Sequence, residues 1–269
     1  MEPSGEYPIA RYEKGRLTPA KDTVIREARV ELVVNDGEMR LAMLCLPREL
    51  KELAAGFLRG EGALRRREDL HSAEFVEAES TLDVRGEFDP DVLDAIHRRW
   101  TWGTGCGGGG TSGRLDSSGY TAVGEGITVS GEAILRVSSE FHKRLDLWRR
   151  TGGVHACALA DAEKLCLLCE DVGRHNAFDK VIGKALLEGV EVADKLMLST
   201  GRLSAEMVSK AVASGVTVLV SRGAVTGLAV ELARRFGLTL VGFARAGRLN
   251  VYTGYQRVVA GEGESGRTQ

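Results

Sequence analysis

Cys106 sits in the run Gly103-Thr104-Gly105-Cys106-Gly107-Gly108-Gly109-Gly110, with no apolar side chain beside it to pack against. A structural thiol is normally buried among apolar groups, so this one is expected to be exposed and mobile, its chemistry that of a thiolate nucleophile or a sulfur carrier. At an ordinary thiol pKa of about 8.5, a few per cent is thiolate at neutral pH. A mobile loop would let one sulfur visit a donor and then an acceptor. The competing reading is a tether whose cysteine is incidental.

Three further segments could bind an anion: Thr200-Gly201-Arg202-Leu203-Ser204, Ser221-Arg222-Gly223-Ala224-Val225-Thr226 and Ala244-Arg245-Ala246-Gly247-Arg248. Each follows a short apolar run and supplies glycine and arginine; the first two add hydroxyls and lead into helical patterns. Taken singly, the hydroxyls read as caps, the glycines as turns and the arginines as solvated. Their recurrence after adjacent parallel strands places them at one sheet edge, where helix N-termini and arginine forks favour phosphate. A phosphate-bearing ligand is expected there.

A fourth segment, Glu170-Asp171-Val172-Gly173-Arg174-His175-Asn176, crowds polar side chains around a glycine. Asn176 reads as a helix N-cap with Asp179 three residues on. Asp171, Arg174 and His175 are left as candidates for orienting a ligand or a neighbouring chain, with His175 able to exchange protons near neutral pH. Cys166 and Cys169 have CxxC spacing, and His155 and Cys157 are near in sequence. On a strand, however, residues three apart face opposite ways, so zinc is not expected. Cys45, Cys157, Cys166 and Cys169 read as small core residues.

Regular elements must position these groups. A hairpin is expected over residues 29–34 and 40–44, turning at Asn35-Asp36-Gly37, followed by a helix with Pro47 near its first turn and Leu50, Leu53, Ala54, Phe57 and Leu58 on one face. Extended runs over 73–78 and 81–84 and a helix over 91–100 complete an α+β unit. Between residues 103 and 126 lie ten glycines and no sustained apolar period, which marks a long functional or disordered loop. A helical stretch bearing Phe141, Leu145 and Trp148 then leads into a buried hairpin, 154–160 and 164–169. Next comes a helix with Phe178, Val181, Ile182, Ala185 and Leu186 in one stripe, stopped by Gly189. From Lys195 strands and helices alternate, which implies parallel strands with right-handed crossovers. The expected layout is a tail (1–20), a small α+β subdomain (21–102), a mobile glycine-rich loop (103–126), an α/β domain (127–258) and a frayed end (259–269).

With 269 residues, 43% of them hydrophobic, the chain can bury a sizeable core; 36 basic against 38 acidic residues leave a net charge of -2. No global field draws nucleic acid or an anionic membrane. A polar N-terminus broken by Pro3 and Pro8, without any long apolar run, suggests a cytoplasmic protein. Five cysteines argue against a disulfide framework.

The run EDVGRHNAFDK over 170–180, with Val181-Ile182-Gly183-Lys184, closely resembles the formate dehydrogenase accessory protein (FdhD) family. So do Thr151-Gly152-Gly153-Val154-His155, the stretch ELAAGFLRGEG over 52–62, and residues 241–253. The resemblance implies a cytidine-deaminase-like three-layer α/β/α fold with an added N-terminal subdomain, and a homodimer. Such proteins accept persulfide sulfur from a cysteine desulfurase and deliver it to molybdenum bis-guanine dinucleotide before that cofactor enters formate dehydrogenase. By resemblance Cys106 carries the persulfide, and Phe243, Ala244, Arg245, Ala246, Gly247 and Arg248 form the cofactor-binding segment. Thr200, Gly201, Arg202, Ser221, His155, Asp171, Arg174, His175 and Asn176 complete the candidate cradle. The family's C-G-x-C-G pattern is reduced here to one cysteine, Gly109 standing at the second position. The deaminase zinc signature is missing, and no nucleophile with its base can be assembled for a small-nucleotide hydrolase. A cofactor-binding chaperone without sulfur transfer is the alternative.

Overall fold

The computed structural model describes residues 2–102 and 121–260. The chain opens with a two-stranded hairpin, β1 (Ser4–Glu13) and β2 (Arg16–Ile25), paired in register from Ser4↔Ile25 to Glu13↔Arg16. From Ser4 onward, the stretch expected as a tail is therefore part of a paired hairpin. Its signal was the turn Lys14-Gly15, both at positive φ (50° and 81°), which matches the twist of a tight hairpin. Pro8 and Pro19 fit because each strand of a two-stranded ribbon has a free edge. Ile25 anchors the base of the hairpin against Leu46, Leu147 and Val154.

A four-stranded sheet follows in the order β4-β3-β6-β5, from β3 (Ala28–Val34), β4 (Met39–Cys45), β5 (Leu70–Val76) and β6 (Thr81–Gly86). The expected turn at Asn35-Asp36-Gly37 is present, all three residues having positive φ. Helices α1 (Leu50–Glu61) and α2 (Pro90–Trp102) belong to the same unit. Leu53, Phe57 and Ile96 share a core with Leu32, Met39 and Leu82. Pro47 lies outside α1, which starts at Leu50.

The larger sheet has six strands in the order β13-β12-β11-β10-β8-β9. A short strand β7 (Val129–Ser130) leads to α3 (Gly131–Lys143) and α4 (Asp146–Thr151), so the expected single helix through Phe141 and Trp148 is broken near Arg144. Strands β8 (His155–Ala160) and β9 (Leu165–Asp171) form the antiparallel hairpin, and α5 (Arg174–Glu188) ends at Gly189 with φ 70°. Then come β10 (Leu196–Ser199), α6 (Ala205–Ala213), β11 (Val218–Ser221), α7 (Gly227–Arg235), β12 (Thr239–Arg245), β13 (Arg248–Thr253) and β14 (Val258–Val259). Strands β10, β11 and β12 are parallel, as the alternation implied. Strand alternation sends Met197 and Leu219 to a core with Phe178, Met207 and Leu232, and Leu198 and Val220 to a core with Ile134 and Phe141. Helices thus cover both faces of the sheet, giving three layers.

Of the glycine-rich stretch, residues 103–120 lie outside the described residues, as do 261–269 in the expected C-terminal tail. Residues 123–126 are docked rather than mobile: Val123 N donates to Phe236 O at 2.9 Å, Gly124 O accepts from Arg257 at 2.8 Å, and Gly126 abuts Thr217. Among the described residues, no helix is long and apolar enough to cross a membrane.

The two sheet units meet where α1 crosses α5. A Cβ on Gly56 would lie 1.7 Å from Asp179 O, and one on Gly183 would lie 1.8 Å from Glu52 O. Glycine is required by this backbone contact, and Gly56→Ala is expected to force the helices apart at a cost of about 3 kcal/mol or more. A Cβ on Gly131, at the start of α3, would meet nothing within 4 Å among the described residues, so Gly131→Ala should shift stability by less than about 1 kcal/mol, in the stabilising direction. Urea unfolding of the two variants checks this; equal losses would show that the close crossing carries no energetic weight.

Candidate functional site

The three loops after β10, β11 and β12 are laced together at one edge of the six-stranded sheet. Ser199 and Ser221 are paired strand ends. Ser199 Oγ accepts from Gly201 N at 3.2 Å, while Ser221 Oγ donates to Gly201 O at 2.6 Å and accepts from Gly223 N at 2.9 Å. Leu203 N donates to Ala224 O (2.9 Å) and Phe243 N to Gly223 O (3.1 Å). Ser221, a candidate ligand group, is thus a buried loop former, 1% exposed with its hydroxyl engaged.

What this scaffold leaves at the surface is cationic. Arg202, Arg222, Arg245 and Arg248 are exposed, and α6 and α7 point their N-termini to the same edge as Thr200 and Thr226, where backbone N–H groups favour an anion. Phe243 has φ 52° and Ala246 φ 51°, rare values for residues with a Cβ, and the β12–β13 pairing is irregular between Gly242 and Arg245. Backbone strain of this kind tends to gather at functional sites. Here it sets the Arg245 guanidinium 5.7 Å from the Phe243 ring centroid, within cation–π range. Ala244 is buried, and Gly247, φ 74°, makes the turn to Arg248.

The fourth loop divides into two roles. Asp171 is fully buried: its carboxylate accepts from Leu46 N (2.9 Å), Gly173 N (3.0 Å) and Asn176 Nδ2 (2.9 Å) and pairs with Lys180 Nζ at 2.7 Å. Lys180 also donates to Leu46 O at 3.1 Å, and Asn176 Nδ2 to Leu44 O at 2.8 Å. Asp171 and Asn176, read as ligand groups, therefore fasten the end of β4 to α5. Asn176 is not the N-cap either; that position is Gly173, and Asn176 lies in the first turn. Arg174 and His175 do face the edge. The stem of Arg174 lies on Gly201, 3.0 Å from where a Cβ would be, and its Nε is buried without a hydrogen-bond partner among the described residues. His175 Nε2 is 3.1 Å from Glu206 Oε2.

Beside Thr200 opens a cleft of about 450 Å³ lined by His142, Trp148, His155, Thr200 and Arg222, among others. Thr200 Oγ1 accepts from Ala156 N at 3.0 Å and lies 3.3 Å from His155 Nδ1. Burial, reinforced by Arg222, pushes His142 down to about 4. His155 is lowered as well, by burial and then by Arg174 and His175. These two imidazoles are neutral at pH 7, so positive charge on the cleft rests on arginine. His142, Trp148 and Glu206 were absent from the candidates read in the sequence, and Arg222 entered only as the arginine of its loop. His142 and Trp148 belong to helices distant in sequence from the loops, and only Arg222, inside one of the three loops, carried a signal.

Cys106 lies outside the described residues. Cys45, Cys157 and Cys169 are buried, and burial raises all three thiols, Cys45 and Cys157 to about 12. Cys166 is exposed rather than a core residue. It and Cys169 occupy opposite faces of β9, and five residues of strand, roughly 16 Å, separate Cys166 from Asp171 at the loop edge.

Fold and site together define a mixed α/β protein whose parallel-strand edge carries four exposed arginines beside the N-termini of two helices. The chain belongs to the FdhD/NarQ family, which it matches over residues 25–259. It is 35% identical over 253 residues to a protein of Bacillus subtilis named sulfur carrier protein FdhD, covering 93% of this chain and 95% of that one. A Listeria monocytogenes protein of the same name is 33% identical over 254 residues, covering 93% and 97%. A crystal structure of a chain assigned as a formate dehydrogenase accessory protein, from Desulfotalea psychrophila, superimposes with a TM-score of 0.78 at 27% identity, covering 96% of this chain and 100% of that one.

Proposed function

We propose that the protein is a cytoplasmic, homodimeric sulfur carrier of cytidine-deaminase-like fold, needed for formate dehydrogenase activity. Cys106 takes persulfide sulfur from a cysteine desulfurase. It passes the sulfur to molybdenum bis-guanine dinucleotide, the cargo, held at the edge formed by residues 200–204, 221–226 and 243–248 before insertion into the apoenzyme. The observation that carries this reading is the gathering of Arg202, Arg222, Arg245 and Arg248 around two helix N-termini, a phosphate-receptive surface. The names borne by the relatives supply the sulfur chemistry.

Loading is an exchange without net redox change. The Cys106 thiolate attacks the terminal sulfur of the donor persulfide, a new S–S bond forms, the donor S–S bond breaks, and the donor cysteine leaves as thiolate. Delivery as sulfide takes up two electrons, supplied by two equivalents of a small thiol that leave joined as one disulfide, while Cys106 returns to the thiolate. Gly109, where the resembling pattern has a second cysteine, favours one rival reading: a chaperone that binds the cofactor and moves no sulfur. Intact-mass analysis after incubation with a cysteine desulfurase and cysteine separates the two. The carrier gains the mass of one sulfur atom on Cys106; a chain that gains none there is the chaperone.

A further inference from the structure

We propose that His175 is a positioning residue that occupies the Glu206 carboxylate and so keeps a negative charge at the start of α6 from opposing the anionic ligand. The inference rests on the reading of the loop edge as a guanine-dinucleotide site and adds to it a group that acts through another group.

Glu206 is the second residue of α6, which begins directly after the loop carrying Thr200, Gly201 and Arg202. A carboxylate in a first turn suits the helix dipole, but it competes with any anion brought to that N-terminus. His175 is the second residue of α5 and meets Glu206 at 3.1 Å, both side chains being about three-quarters buried (25% and 23% exposed). One turn further along both helices, Asp179 pairs with Lys210, both carboxylate oxygens at 2.9 Å from Nζ. These two pairs bridge α5 and α6. The first pair sits where the stem of Arg174 rests on Gly201.

The charge balance agrees with that placement. Glu206 is lowered, first by its close contact with His175, then, against burial, by the charges of His175, Arg174 and Lys210. It is ionised at neutral pH, and its occupation by a partner decides what the ligand meets. The other ionisable groups of the ladder, Asp179, Lys210 and Glu61, are engaged with one another deeper between the helices.

The test is a calorimetric titration of the full chain with GDP at neutral pH, with urea unfolding as a check on the fold. His175→Ala is expected to weaken GDP binding about tenfold, the scale of one carboxylate charge left uncompensated near a bound phosphate. His175→Ala combined with Glu206→Gln is expected to recover to within about threefold of the unmodified protein, because the uncompensated charge is gone. A double variant as weak as His175→Ala overturns the inference, since His175 would then contact the ligand or merely support the fold. If His175→Ala does not fold, Glu206→Gln alone decides: unchanged or tighter binding supports the proposal, and a loss overturns it. An unmodified protein that binds no GDP overturns the functional reading and this inference with it, whereas GDP binding without recovery in the double variant overturns the inference alone.

Discussion

Replacing Cys106 with serine is expected to abolish persulfide loading and, in a strain lacking its own carrier, formate dehydrogenase activity. A serine hydroxyl is not ionised at neutral pH and forms no stable bond to sulfane sulfur, so the exchange that loads Cys106 has no counterpart. The effect should be total rather than graded. Stability should be unchanged, since the flanking glycines offer no apolar contact to lose. Cys166→Ala is the matched control. It removes the exposed thiol on β9, which lies roughly 16 Å along the strand from the loop edge, and should leave activity intact. Activity retained by Cys106→Ser would end the carrier reading in favour of the chaperone; activity lost in both variants would make Cys166 a second carrier.

The second large effect is expected from Lys210→Met. Lys210 is 3% exposed and serves two buried carboxylates, Asp179 at 2.9 Å and Glu61 at 3.3 Å, which are 1% and 4% exposed. Burial opposes its charge, but the two carboxylates more than offset that and raise it. Methionine would fill the volume and strand both carboxylates, a loss of about 3–5 kcal/mol. The loss should depend on pH. Burial already pushes Asp179 up to about 6 against the pull of Lys210, and without the ammonium it must rise further. A carboxyl raised in the folded state contributes stability that is present below its unfolded value of about 3.9 and is lost as pH rises through the folded value. The deficit of the variant should therefore be smaller at pH 5 than at pH 8. Urea unfolding at both values measures it; a deficit independent of pH would assign the cost to packing instead of charge. Because Glu61 belongs to α1 while Asp179 and Lys210 belong to α5 and α6, the variant should also loosen the small unit from the sheet that carries the loops.

Local patterns written in the chain account for much of this architecture. The stripe through Phe178, Val181, Ile182 and Ala185 specifies α5 by its period, Gly189 stops it by its positive φ, and the alternation after Lys195 specifies parallel strands because only crossovers connect them. The shared edge of the three loops follows from that alternation, so arginine and glycine after each strand already pointed to an anion. The fate of individual polar side chains was not legible. EDVGRHNAFDK reads as one polar cluster, yet Asp171, Asn176, Asp179 and Lys180 turn inward to fasten the two units, and only Arg174 and His175 reach the edge. The same holds for Ser221, spent inside its loop, for Cys166, exposed on an edge strand, and for His142 and Trp148, brought to the cleft by α3 and α4. Period and turn chemistry are set by neighbours within a few residues, so sequence determines them alone. Whether a carboxylate binds a ligand or pairs with a buried lysine depends on which distant groups packing brings within hydrogen-bond distance, and that was decided by the crossing of α1 and α5.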